Sequence, residues 1–158
     1  MKQHLDKIFL AIALLIVSAS CSNNTVFSEY VTLPENGWSK DSTANFSFSV
    51  PNGRVPYDLL VNVRHRGDFK TQNLWLFIST ETPDSVVKND TIEFFLANER
   101  GKWLGSGFGS LYNMSVLAAQ QQRFVPNKSY KVSIRHGMRD SLLTGINDIG
   151  LEVIQAKQ

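Results

Sequence analysis

Residues 45–50, Asn-Phe-Ser-Phe-Ser-Val, alternate polar and apolar one by one, and this period of two recurs along most of the chain. Successive side chains of a strand point to opposite faces, so the pattern builds half-buried strands. A helix facing a core needs apolar residues every third or fourth position instead. In Tyr57–Arg66, Tyr57, Leu59, Val61 and Val63 point one way, and Asp58, Asn62, Arg64 and Arg66 the other. Residues 74–82 begin apolar on both faces, which predicts a central strand covered on both sides. Residues 91–97 follow after Pro83-Asp84-Ser85 and Asn89-Asp90, whose turn chemistry predicts a hairpin. Residues 112–117, Tyr130–His136 and 149–155 read as further strands, and 118–123 as one helical turn at most. Seven to nine strands separated by Gly, Pro, Asn and Asp turns predict an all-β fold, an antiparallel β-sandwich of jelly-roll-like or immunoglobulin-like kind. A chain of 158 residues is one domain's worth.

The first residues follow another rule. Lys2 and Lys7 precede ten uncharged apolar residues, 8–17, and then Ser18, Ala19, Ser20 and Cys21. A basic start, a short apolar stretch and a small-residue exit make an export signal. Ten residues are half of the roughly 20 that a spanning helix needs. Cys21 is the chain's one cysteine, so no intramolecular disulfide forms. Its place after the small residues resembles a lipobox, with Ser18 where leucine is most usual. The expected organisation is a signal over 1–20, a lipidated cysteine and tether over 21–30, and one sandwich domain over 31–158. Two acyl attachments at Cys21 would make a stable anchor, and this covalent lipid is the only group expected; no cofactor or metal is. Ser22 rather than aspartate after the cysteine predicts the outer membrane, facing the periplasm.

Charge excludes one partner class. Without Lys2, Lys7 and Asp6, 14 basic side chains face 13 acidic ones, and no basic run or RNA-binding aromatic signature occurs. No nucleic-acid partner is expected. Catalytic chemistry is equally bare: no nucleophile-elbow serine, no nominated carboxylate pair, and a Gly105-Ser-Gly107-Phe-Gly109 run that breaks the dinucleotide pattern at Ser110. That run predicts a tight turn or bulge close to neighbouring backbone. No catalytic residue is expected, and the chain is not read as an enzyme.

Four groups of residues carry open readings. His65 and His136 sit in Arg64-His65-Arg66 and Arg135-His136-Gly-Met-Arg139. The fold could pair them in a zinc or catalytic site, but with no Cys, Asp or Glu near either at ligand-like spacing, and beside cations, they read better as structural or surface residues. Arg64, Arg66, Arg135 and Arg139, with both histidines and Trp103, form an interaction patch if their strand ends meet, as would Arg54; a scattered solvated face is the equal alternative. Trp38, Trp75 and Trp103, with Tyr57 and Tyr112, suit sugar stacking if exposed and a core if buried. Trp75, within Leu-Trp-Leu-Phe-Ile, reads as core. Ser42, Ser85, Thr91 and Ser141 each follow an aspartate and resemble acceptors of periplasmic O-glycosylation, although Asp-Ser and Asp-Thr are also plain turn dipeptides.

The order of features resembles the gliding-motility lipoprotein family GldH of Bacteroidetes. The resemblance runs through Cys21, Val26-Phe27-Ser-Glu29-Tyr30, Trp38, the 46–51 strand, Asn73-Leu-Trp-Leu-Phe77 and Asp90-Thr-Ile-Glu93. It continues in Gly101-Lys-Trp-Leu-Gly-Ser-Gly107, Tyr130-Lys-Val, Arg135-His-Gly-Met-Arg139 and Gly145-Ile-Asn-Asp-Ile-Gly150. Ser110 departs from it, where an acidic residue is expected. The resemblance implies a non-catalytic outer-membrane lipoprotein beside the gliding and type IX secretion machinery, with envelope proteins as partners. The alternative from another class is a carbohydrate-binding sandwich module.

Overall fold

The computed structural model describes residues 24–157. In chain order the strands are β1 (Thr25–Thr32), β2 (Trp38–Ser39), β3 (Ala44–Phe48), β4 (Tyr57–Arg66), β5 (Asn73–Glu81) and β6 (Val87–Phe95), then β7 (Ser106–Phe108), β8 (Leu111–Gln122), β9 (Tyr130–His136), β10 (Leu142–Leu143) and β11 (Ile146–Gln155). One sheet has the order β1-β11-β4-β8-β7 and the other β3-β9-β5-β6; β2 and β10 pair separately. All pairs are antiparallel. The expected all-β sandwich is what forms.

The alternation explains the packing. Tyr57, Leu59, Val61 and Val63 of β4 meet Phe46 and Phe48 of β3, Leu74 and Leu76 of β5, Val132 and Ile134 of β9, and Ile149, Leu151 and Val153 of β11 in one buried core. Burying each large side chain contributes about 1.5–3 kcal/mol. The β5–β6 hairpin turns at Pro83 and Asp84, with Thr82 donating its N–H to Val86 O at 2.9 Å and Ser85 in the left-handed region. The β7–β8 hairpin turns at Gly109-Ser110, so the glycine run acts as the expected turn.

Three local expectations give way to tertiary context. β5 is central in its sheet but covered by a second sheet on one side only: Trp75 is 39% exposed, with Phe77 beside it, because among the described residues no further strand layer lies over that outer face. Residues 118–122 continue β8 rather than turning as helix. β4 supplies their partners through two register shifts, and Asp58 accepts the Gln121 N–H at 2.8 Å. Residues 25–30, assigned above to the tether, are strand β1, bound to β11 along its length. Cys21 and the signal segment lie outside the described residues.

Register gives the sandwich two distinct ends. At one, Thr25 lies opposite Ile154, and Tyr57 opposite Gln155 and Gln122. Phe27, Phe48, Phe124, Tyr130 and Tyr57 form an aromatic cluster there. At the other, Thr32, Asp148, Arg64, Asn113 and Ser106 line up across the five-stranded sheet, and His136 lies opposite Leu76 in the four-stranded one. The segments 67–72, 97–105 and 137–145 cap this second end.

Candidate functional site

Both histidines are built into the core, each in a different sheet. His65 donates Nδ1–H to Arg66 O at 3.0 Å, stacks on Tyr112 at 5.4 Å and meets the edge of Trp103 at 4.7 Å. His136 donates Nε2–H to Trp38 O at 3.1 Å and lies against the Trp38 indole. Burial holds both below the usual 6.5, against the raising influence of their backbone hydrogen bonds. Their second nitrogens, His65 Nε2 and His136 Nδ1, are buried without a partner, as suits neutral rings. No group of three His, Cys, Asp or Glu among the described residues is arranged to hold a metal.

The arginines do not form one patch. Arg64 and Arg66 project from the outer face of the five-stranded sheet, where Arg64 pairs with Asp148 at 3.8 Å and Arg66 with Asp68 at 3.3 Å. Arg135 projects from the outer face of the opposite sheet, its guanidinium 5.1 Å from the centre of the Phe77 ring. Arg139 follows β9 at the second end and shares a groove with Trp75. Arg54 lies at the first end, where its carbonyl accepts from Arg123. Of the expected patch, His65, His136 and much of Trp103 are interior; Arg135 stays over Phe77, and Arg139 lines the groove beside Trp75.

The aromatic residues divide differently from their sequence context. Trp38 is fully buried, Trp103 packs against His65, and Trp75, expected in the core, faces outward. Two backbone contacts hold Trp75 after the β5–β9 ladder ends at His136: Gly137 donates its N–H to Trp75 O at 2.7 Å, and Trp75 donates its own to Met138 Sδ at 3.3 Å. A Cβ at Gly137 would stand 2.9 Å from the Phe77 ring and 3.3 Å from Trp75 Cβ. Glycine therefore lets the chain pass against the Phe77 ring and the base of the Trp75 side chain. An open groove of about 540 Å³ runs beside the indole, lined by Thr71, Asn73, Gly137, Met138, Arg139 and Asp140.

The second end also carries apolar side chains that residue-by-residue reading did not single out. Phe95, 58% exposed, borders another groove with Arg100 and Leu104. Phe108, 96% exposed, stands on β7 above Arg64, Leu111 and Asn113. The signal for Phe108 lies in Gly107-Phe-Gly109, a large ring placed in a turn where alternation offers it no inward position. Ser42, Ser85, Thr91 and Ser141 are all exposed.

The GldH lipoprotein family matches residues 25–153. A protein of Christiangramia forsetii named gliding motility lipoprotein GldH homolog is 33% identical over 153 residues, 92% of this chain and 93% of that protein. The gliding motility lipoprotein GldH of Flavobacterium johnsoniae is 32% identical over 155 residues, 94% of each. Among solved structures, a family GH115 4-O-methyl-α-glucuronidase shares 10% identity at a TM-score of 0.41, over 87% of this chain and 17% of that one, a likeness too slight to bear on function.

Proposed function

This chain belongs to the GldH lipoprotein family, and from that premise we propose that it is a periplasm-facing lipoprotein of the outer membrane. In this reading it is anchored through acylated Cys21 and acts by protein–protein contact, without catalysis, on the gliding or type IX secretion machinery. The observation that carries the reading is the polarity of the sandwich. The tether enters at Thr25, while exposed Phe108 and Phe95 lie at the other end. Four residue steps from Cys21 to Thr25 span at most about 14 Å. The eight residues of β1 add about 26 Å beyond that. The first end, where Val86, Val87 and Val125 are exposed, is thus held near the lipid, and the phenylalanine-bearing tip is presented away from it, where an envelope partner is met. Exposed aromatic rings beside arginine are the residue types that dominate protein interfaces.

A photo-crosslinking residue at position 108, in the host's own membranes, tests this. The expected result is one discrete adduct with an envelope protein, absent when the probe sits at Arg54 on the other end. Equal labelling from both positions, or none from position 108, overturns the assignment of the tip. Loss of acyl labelling and of outer-membrane fractionation in Cys21→Ser is the expected result for the anchor.

A further inference from the structure

We infer that the groove beside Trp75 is a binding site for a short oligosaccharide, of two or three pyranose rings. The volume of about 540 Å³ lies within the roughly 300–1,000 Å³ of small-molecule sites. One wall is the exposed indole, a flat apolar surface of the kind against which the C–H face of a pyranose lies. The next aromatic on that sheet face, Phe77, is covered by Arg135, so the groove offers one ring face rather than a continuous apolar strip.

The rest of the lining is hydrogen-bonding. Arg139 and Asp140 make no side-chain ion pair among the described residues, although they are adjacent in the chain and of opposite charge. Asn73 donates its amide N–H to Glu93 at 2.7 Å, which leaves its amide oxygen as an acceptor beside the groove. Donors, acceptors and one flat apolar wall together suit a polyol. An apolar peptide side chain seated here would desolvate Arg139 and Asp140 without partners, at a cost that a sugar's hydroxyls avoid. The floor is preformed, because Gly137 and Met138 fix the Trp75 backbone from below through two hydrogen bonds. This site lies on the outer face of the four-stranded sheet and is independent of the Phe108 tip.

The test uses the full chain purified from membranes in a detergent without a sugar headgroup, titrated with chitotriose, cellotriose, xylotriose and trigalacturonate. Calorimetry and indole fluorescence read the binding. At least one trisaccharide is expected to bind with a dissociation constant below about 1 mM; Trp75→Ala abolishes that binding, and Arg139→Ala weakens it about tenfold or more. Thermal unfolding of both variants confirms that they fold, and Phe108→Ser leaves sugar affinity unchanged. No binding of any of the four at about 10 mM overturns the inference, as does binding that survives Trp75→Ala. A Trp75→Ala variant that loses a protein crosslink while no sugar binds the parent chain assigns the groove to a peptide instead, and also overturns it.

Discussion

The guanidinium of Arg64 lies 3.9 Å from the centre of the Tyr30 ring, although their strands are separated by β11. The gap is bridged because Gly150 stands between them without a side chain. A Cβ there would come within 2.7 Å of two Tyr30 ring carbons. The ring lies flat over β11 and reaches the cation, which also faces Asp148, itself held by Thr32 at 2.7 Å and Asn147 at 2.7 Å.

Gly150→Ala therefore lifts the ring and separates it from Arg64. The expected loss is about 1–2 kcal/mol of unfolding free energy, from a lost cation–π contact and disturbed packing. Denaturant unfolding of a double-variant cycle checks the cause. In a Tyr30→Ala background the same glycine substitution costs much less, since no ring stands over it. Equal costs in both backgrounds would rule out this account.

The two core histidines set a pH dependence. Burial lowers both, so near and below pH 6.5 the unfolded chain binds protons that the folded chain does not. Unfolding free energy then rises with pH wherever the unfolded state holds more protons. Stability is complete above pH 6.5 and falls as pH drops below it, until the folded rings titrate in turn. His136→Phe removes the bond to Trp38 O and lowers stability at about pH 8 by about 1 kcal/mol. The same variant loses less between about pH 6.5 and about pH 5 than the parent does, because one titrating ring is gone. Urea unfolding across that range reads both effects.

Two glycines of the β7 turn have left-handed backbones but different surroundings. Gly109, at φ +65°, has open space where a Cβ would go, so Gly109→Ala costs about 1–2 kcal/mol of backbone strain and Gly109→Asn less. Gly105, at φ +82°, carries the same strain, and in addition its Cβ would strike the carbonyl of Asn113. Gly105→Ala is expected to detach β7 from β8 as well as to destabilise. Amide exchange of Ser106–Phe108 separates the two: fast in Gly105→Ala, near that of the parent in Gly109→Asn.

The proposed interface role predicts that Phe108 matters to recognition and little to folding. At 96% exposure, Phe108→Ser is expected to change unfolding free energy by less than about 0.5 kcal/mol. With the crosslinking residue moved to neighbouring Ser110, the same substitution is expected to remove the adduct with the partner. A large stability loss would show that the ring packs in the free protein and is not an interface residue.

The sequence by itself determined the strands whose two faces differ. In Tyr57–Arg66 and Tyr130–His136 the bounds and the inward set follow from alternation alone. The histidines obey the same rule, since His65 falls in step with Val61 and Val63, while its flanking arginines fall out of step. Tertiary structure decided what alternation does not encode. The apolar run at Trp75 reads as covered on both sides, yet its outer face is open, because whether a sheet face meets another layer depends on elements distant in the chain. Residues 118–122 have alanine and glutamine, good helix formers, and are strand because β4 supplies a ladder that outweighs propensity. β1 has little alternation and is held by β11, more than a hundred residues away, through contacts such as Thr32 to Asp148. The arginines at positions 64 and 135 are similar in local context and end on opposite faces for the same reason. Side-chain periodicity is local to a strand, whereas sheet membership is settled by which distant backbone completes its hydrogen bonds.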